Sequence, residues 1–175
     1  MNSHSILTTD GETTISLASG KVVNLPICHP QFSLWREPVN NFNYGGKPLI
    51  NHNNEPIFAE LAILRILQAD GWEGVWVETY GGTHFLQSMP KEWKLKSEHV
   101  SIPKDKEELL KKIWKTAKTT ACFDIFAWKG KDFIFCEAKT KGKDKLTNGQ
   151  IKFIEGALFC GILPESLLIV EWEGN

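Results

Sequence analysis

The chain has no apolar run approaching the roughly 18 residues that a membrane-spanning helix needs, so no span is expected and a membrane is not among its expected partners. Its opening segment, Met1 to Thr9, lacks the basic head and apolar core of a secretory signal, and an intracellular, cytoplasmic protein is the expectation. Cysteine is sparse. Cys28, Cys122, Cys136 and Cys160 show no paired spacing and no histidines at zinc-finger distances, which leaves core thiols in a reducing compartment. Cys28 and His29 are adjacent but have no third partner to make a nucleophile of the pair. Internal repeats and low-complexity tracts are absent too.

What is present is one domain's worth of globular chain: 175 residues, 42% hydrophobic and 23% charged. The formal net charge of -1 conceals an uneven distribution, since Lys91 to Lys145 holds 15 lysines against 9 acidic residues. A local field of one sign attracts a polyanion even when the whole molecule is near neutral; a solvated lysine-rich surface is the plain alternative.

Residues 1 to 54 read as an elaboration packed on the main domain, with a hairpin suggested by Thr14 to Ala18 and Val22 to Leu25. The main domain then occupies 55 to 175. A first helix is expected over Ile57 to Asp70, with Pro56 at its first position and Gly71 stopping it. A strand follows over Trp72 to Tyr80, ended by Gly81 and Gly82. A second helix after Pro103 takes Asp105 as cap and Glu108 as its capping-box partner. Leu109, Leu110, Ile113, Trp114 and Ala117 line its apolar face, opposite Lys106, Lys111, Lys112, Lys115 and Lys118. Phe123 to Trp128 and Phe133 to Ala138 form a hairpin across the Lys129 to Asp132 turn. A third helix, capped by Thr147, runs from Asn148 to Gly161, and Leu167 to Trp172 is the last strand.

On the second hairpin strand Glu137 and Lys139 leave the same face, because side chains alternate. A four-residue turn pairing Trp128 with Phe133 brings Asp124 opposite Glu137; a two-residue turn pairing Trp128 with Lys131 brings it opposite Phe135. Both registers keep Asp124 on the face of Glu137, since only an odd shift reverses it. Two converging carboxylates repel unless a cation neutralises them, and oxygen ligands of this kind suit Mg2+ or Mn2+. Lys139 would hold a phosphate or orient a water. A cross-strand ion cluster is the structural alternative. Two polar residues on apolar helix faces add weight to the site: Glu60 beside Ile63, Leu64 and Leu67, and Gln150 beside Phe153, Ile154 and Ala157. Gln150 also has capping-box spacing from Thr147.

Glu60 on a leading helix, then Asp124, then Glu137-Ala138-Lys139, then Gln150 at a helix start resembles the PD-(D/E)XK nuclease superfamily, nearest its VRR-NUC and Holliday-junction-resolvase-like branch. The resemblance covers about residues 55 to 172. It implies an α/β, restriction-endonuclease-like core, α-β-β-β-α-β, with a central mixed four-stranded sheet flanked by helices and the second helix inserted. It implies that Asp124, Glu137, the Ala138 carbonyl and Glu60 hold the metal, that Lys139 is the catalytic lysine, and that Gln150 helps orient water, metal ligand or DNA. The activity implied is Mg2+- or Mn2+-dependent endonuclease cleavage of DNA, with branched or flapped structures as candidate substrates. Phe123 stands where the family name has proline, and Thr119 to Cys122 replaces a glycine-bearing turn. Lys111, Lys115, Lys118, Lys141, Lys143 and Lys145 are the candidate DNA contacts, and a homodimer is the candidate assembly. Two other classes fit the residues: a DNA-binding module that does not cut, and a partner-binding accessory protein using Phe32, Trp35, Phe42 and Tyr44.

Overall fold

The computed structural model describes residues 7–39, 46–79, 82–90 and 98–175. The amino-terminal alternation forms β1 (Gly11–Ser16) and β2 (Val22–Cys28), an antiparallel pair longer than the two expected patches. A two-residue strand, β3 (Gln31–Phe32), follows, and then the small hairpin of β4 (Ile50–His52) and β5 (Glu55–Ile57). Asn53 and Asn54 turn this hairpin at φ of 52° and 64°, the left-handed conformation that asparagine tolerates. Pro56 therefore lies in β5 rather than opening a helix, and α1 (Ala59–Ala69) begins after an extended Phe58. The hairpin signal in Asn53-Asn54 outweighs the helix-start preference of proline.

The remaining elements are β6 (Glu73–Glu78), β7 (His84–Leu86), α2 (Lys104–Ala117), β8 (Ile125–Lys129), β9 (Asp132–Thr140), α3 (Asn148–Phe159), a short 3-10 turn at Pro164–Ser166 and β10 (Leu167–Gly174). Tyr80 and Gly81, at the end expected for the first core strand, lie outside the described residues, as do Phe42 and Tyr44. No helix among the described residues is long and apolar enough to cross a membrane.

The architecture is mixed α/β, built on one eight-stranded sheet rather than the expected four-stranded one. Its order is β1-β2-β10-β9-β8-β6-β7, with β3 also on β10. The four strands anticipated from the sequence are consecutive neighbours within it, and β10 runs parallel to β9. The difference arises at the edges. β10 would otherwise leave backbone groups unpaired on its far side, and β2 and β3 satisfy them in parallel, while β7 covers β6. Alternation in β1 and β2 says that they are strands but not which edge receives them.

One face of the sheet carries α1 and the other carries α2 and α3. Ile125, Ala127, Ile134, Cys136 and Ala138 join the cluster under α1, while Phe126, Trp128, Phe133 and Phe135 join the cluster under α2 and α3. Phe126 stacks on its cross-strand partner Phe135 with ring centroids 4.5 Å apart. Burying each ring contributes roughly 1.5–3 kcal/mol, so this pair holds the hairpin register as well as the core. Trp128 pairs with Phe133 and Lys129 with Asp132, leaving Gly130 and Lys131 as a two-residue loop. Gly130 supplies the positive φ of 62° that the first position of such a loop wants. This register puts Asp124 across from Glu137.

The start of α2 departs from expectation. Pro103 occupies the cap position and no side chain caps the helix. Asp105 instead pairs with Lys106 at 2.9 Å. Lys106 is buried rather than on the solvated face, its ammonium 4.5 Å from the centroid of Phe133. The ring attracts the charge while Asp105 neutralises it, so an amphipathic side chain fills a position that a polarity pattern assigns to solvent.

The contact between α2 and α3 leaves no room for a side chain at Gly156. A Cβ there would lie 2.6 Å from Ala117 Cβ and 3.1 Å from the Ala117 backbone nitrogen. Replacement Gly156→Val is expected to lower the unfolding free energy by about 1–3 kcal/mol through overpacking. Urea denaturation measures this, and an unchanged midpoint would show that α2 and α3 are not pressed together.

Candidate active site

The site forms where two strands part. β8 starts at Ile125, paired with Cys136, but β9 continues to Thr140 along β10. Beyond Cys136, β9 therefore loses its neighbour on the β8 side, and its backbone needs other partners. Asp124, at a bend just before β8, supplies one: its Oδ2 accepts from the Ala138 N–H at 2.9 Å. Glu137 Oε2 reciprocates by accepting from the Asp124 N–H at 3.3 Å. The two carboxylates are thus locked to each other's strand, and the Asp124 carbonyl is tied to β6 by the Val77 N–H at 2.7 Å.

Glu137 is buried, and its other oxygen has two donors. Lys139 Nζ lies 2.8 Å from Glu137 Oε1, and the Gln150 amide donates to the same atom at 2.5 Å. The Gln150 carbonyl oxygen meanwhile accepts from the Thr147 N–H at 2.9 Å and from Lys139 Nζ at 3.3 Å. Gln150 therefore closes the α3 capping box and touches the site with opposite ends of one amide. This joins the two roles that the sequence suggested separately.

Glu60 reaches the same cleft from the first turn of α1 on the other face of the sheet. Its side chain is only 8% exposed; Lys47 binds its Oε1, and its Oε2 is a buried oxygen without a hydrogen-bond partner. Lys47 is the functional candidate that sequence reading missed. It stands 4.8 Å over the Phe58 ring and lines the cleft. No periodicity marks it, because it lies in irregular chain before β4. Asp144, also among the cleft residues, accepts from the Thr140 N–H at 2.9 Å.

Electrostatics set this cleft apart from an ordinary surface cluster. Burial, then the neighbouring Glu137 and Glu60 carboxylates, push Asp124 well above the usual carboxylate range, against the pull of the Ala138 N–H and Lys47. Burial also raises Glu137, with Lys139 opposing it. Elsewhere, burial pushes the Cys28 thiol up to about 12, and His29 bonds Asp10 at 2.7 Å, so these two neighbours form no nucleophile pair.

The cleft is about 500 Å3 and is lined by Glu60, Asp124, Glu137, Ala138, Lys139 and Gln150, all six of the residues picked out on the sequence as catalytic or metal-holding. The candidate DNA-contacting lysines are less concentrated. Lys143 lines the cleft; Lys141 lines an adjoining groove and pairs with Glu173 at 2.6 Å. Lys115 and Lys118 line a separate shallow surface with Trp114, Lys111 pairs with Glu107 on α2 at 2.6 Å, and Lys145 is exposed. No group of three or more His, Cys, Asp or Glu side chains among the described residues is arranged to hold a metal ion. With Glu60 Oε1 engaged by Lys47, the acidic groups left at the cleft are Asp124, Glu137, Asp144 and the second oxygen of Glu60.

Comparison with protein-family models, with curated proteins and with solved structures finds no match to this chain.

A carboxyl whose folded pKa is raised above its unfolded value destabilises the fold at neutral pH and less so as pH falls toward the unfolded value. Asp124→Asn keeps an oxygen for the Ala138 N–H while removing the charge. In chelator, the variant is expected to melt above the wild type near pH 7, with the gap narrowing as pH falls toward the ordinary carboxylate range. Thermal melts across pH test this; a variant less stable at every pH would remove the repulsion account.

Proposed function

We propose that this cleft is the catalytic centre of a Mg2+- or Mn2+-dependent DNA endonuclease on a restriction-endonuclease-like core. The carrying observation is the pair of hydrogen bonds that clamp Asp124 and Glu137 across the strand fork, with Lys139 2.8 Å from Glu137. A structural ion cluster would match charges in pairs, whereas here Asp124 is held beside two other carboxylates and Glu60 keeps a buried oxygen unbonded. The donor set fits a hard divalent cation: all-oxygen, anionic and supported by fixed backbone contacts. Asp124, Glu137 and the Ala138 carbonyl would hold it, with Glu60 Oε2 available from α1. Such a cation, when bound, neutralises the carboxylates, lowers the pKa of a water and offsets charge growing on the phosphate.

The chain's own residues supply the rest. Lys139 has three N–H donors, of which Glu137 and Gln150 take two, leaving one for a phosphate oxygen or for the attacking water. Its stem is fixed by β9 and its head by two partners, so little reorganisation accompanies the reaction. Gln150 holds Glu137 in place from α3. Lys143, exposed on the rim, offers a charge for the DNA backbone, and contacts of that kind make binding weaken as salt rises.

Cleavage of linear, flapped and four-way DNA with Mn2+ tests the reading. Asp124→Ala is expected to abolish cutting, and Lys139→Met to slow it by about 100- to 1000-fold, the usual scale for losing one transition-state donor. Equal cleavage by wild type and Asp124→Ala, or none on any of the three DNAs, would sink it. Salt-dependent DNA binding without cleavage, unaffected by Asp124→Ala, would point to the non-cutting module instead.

A further inference from the structure

We infer that Lys47 occupies the place of a second cation, so that the cleft takes one divalent metal ion rather than two. The inference rests on the nuclease reading and extends it to the metal count. The cleft is lined by four carboxylates, Glu60, Asp124, Glu137 and Asp144, and three ammoniums, Lys47, Lys139 and Lys143. Lys139 serves Glu137 and Lys47 serves Glu60, and the remaining Asp124, Asp144 and Lys143 leave a net of one negative charge. One divalent ion turns that single negative charge into a single positive one. A second would enter a site already positive, at low local dielectric, where repulsion between cations is severe.

Geometry holds the Lys47 ammonium beside Glu60. Its ammonium binds Glu60 Oε1 while lying 4.8 Å from the Phe58 centroid and 6.0 Å from that of Trp76, two aromatic faces that favour a cation. Glu60 Oε2, buried and unbonded, remains for an ion held by Asp124 and Glu137. Glu60 thus bridges a covalently tethered cation and an exchangeable one. The tether fixes one charge in the cleft at all metal concentrations, so catalysis would not wait on filling a weak second site.

Counting bound Mn2+ on the intact chain, by electron paramagnetic resonance and by calorimetry, tests this without any activity measurement. Wild type is expected to bind one equivalent at the cleft. Lys47→Gln, which removes the charge and frees Glu60, is expected to bind two, and Lys47→Arg, which restores a cation, to return to one. Lys47→Met serves as a second charge-removing variant, with circular dichroism melts establishing that each protein is folded. Two equivalents in wild type, or one in both Lys47→Gln and Lys47→Met, would overturn the inference and leave the nuclease reading standing. No bound Mn2+ in wild type would overturn both.

Discussion

The structure turns on the fork between β8 and β9. While the strands run together, aromatic and aliphatic side chains alternate cleanly to the two faces, and the backbone groups satisfy each other. Where they part, the Ala138 and Asp124 N–H groups lose ladder partners, and two carboxylates take over. An unpaired buried donor is costly, so the acids there have a structural duty. That duty holds two negative charges at a fixed separation, at the open end of the hairpin and beside a cleft.

The helices on either side complete the arrangement by different means. Gln150 reaches Glu137 because a capping box fixes the first turn of α3, so local chemistry at the helix start directs a residue toward the sheet. Glu60 arrives from the opposite face, on the first turn of a helix whose other buried residues are apolar. Both helices are anchored by burial, and neither needs the polar contact in order to pack.

Its electrostatics work against stability. Burial raises both Asp124 and Glu137, and the mutual repulsion is only partly relieved by Lys47 and Lys139. Strain of this kind persists where surrounding structure over-determines it, and here the clamps to Ala138 and Asp124 do so. The lysine excess has a different character. Many of those side chains are exposed, several are paired with nearby acids, and among the described lysines those lining the cleft are Lys47, Lys139 and Lys143.

By itself the sequence determined the strands and helices of the central region and the shared placement of Asp124, Glu137 and Lys139, because period-two alternation and hairpin parity act over a few residues. The capping role of Gln150 was legible for the same reason. Tertiary structure alone decided what depends on distant chain. β2 and β3 widen the sheet because β10 offers them a free edge, and Lys106 turns inward because Phe133 offers a ring. The placement of Pro56 in a strand is local by contrast, set by the left-handed turn at Asn53 and Asn54. Lys47, in irregular chain before β4, meets Glu60 on the far side of the β4–β5 hairpin. Local pattern fixes which face a side chain leaves from; what it meets there is set by packing, through contacts that no spacing along the chain encodes.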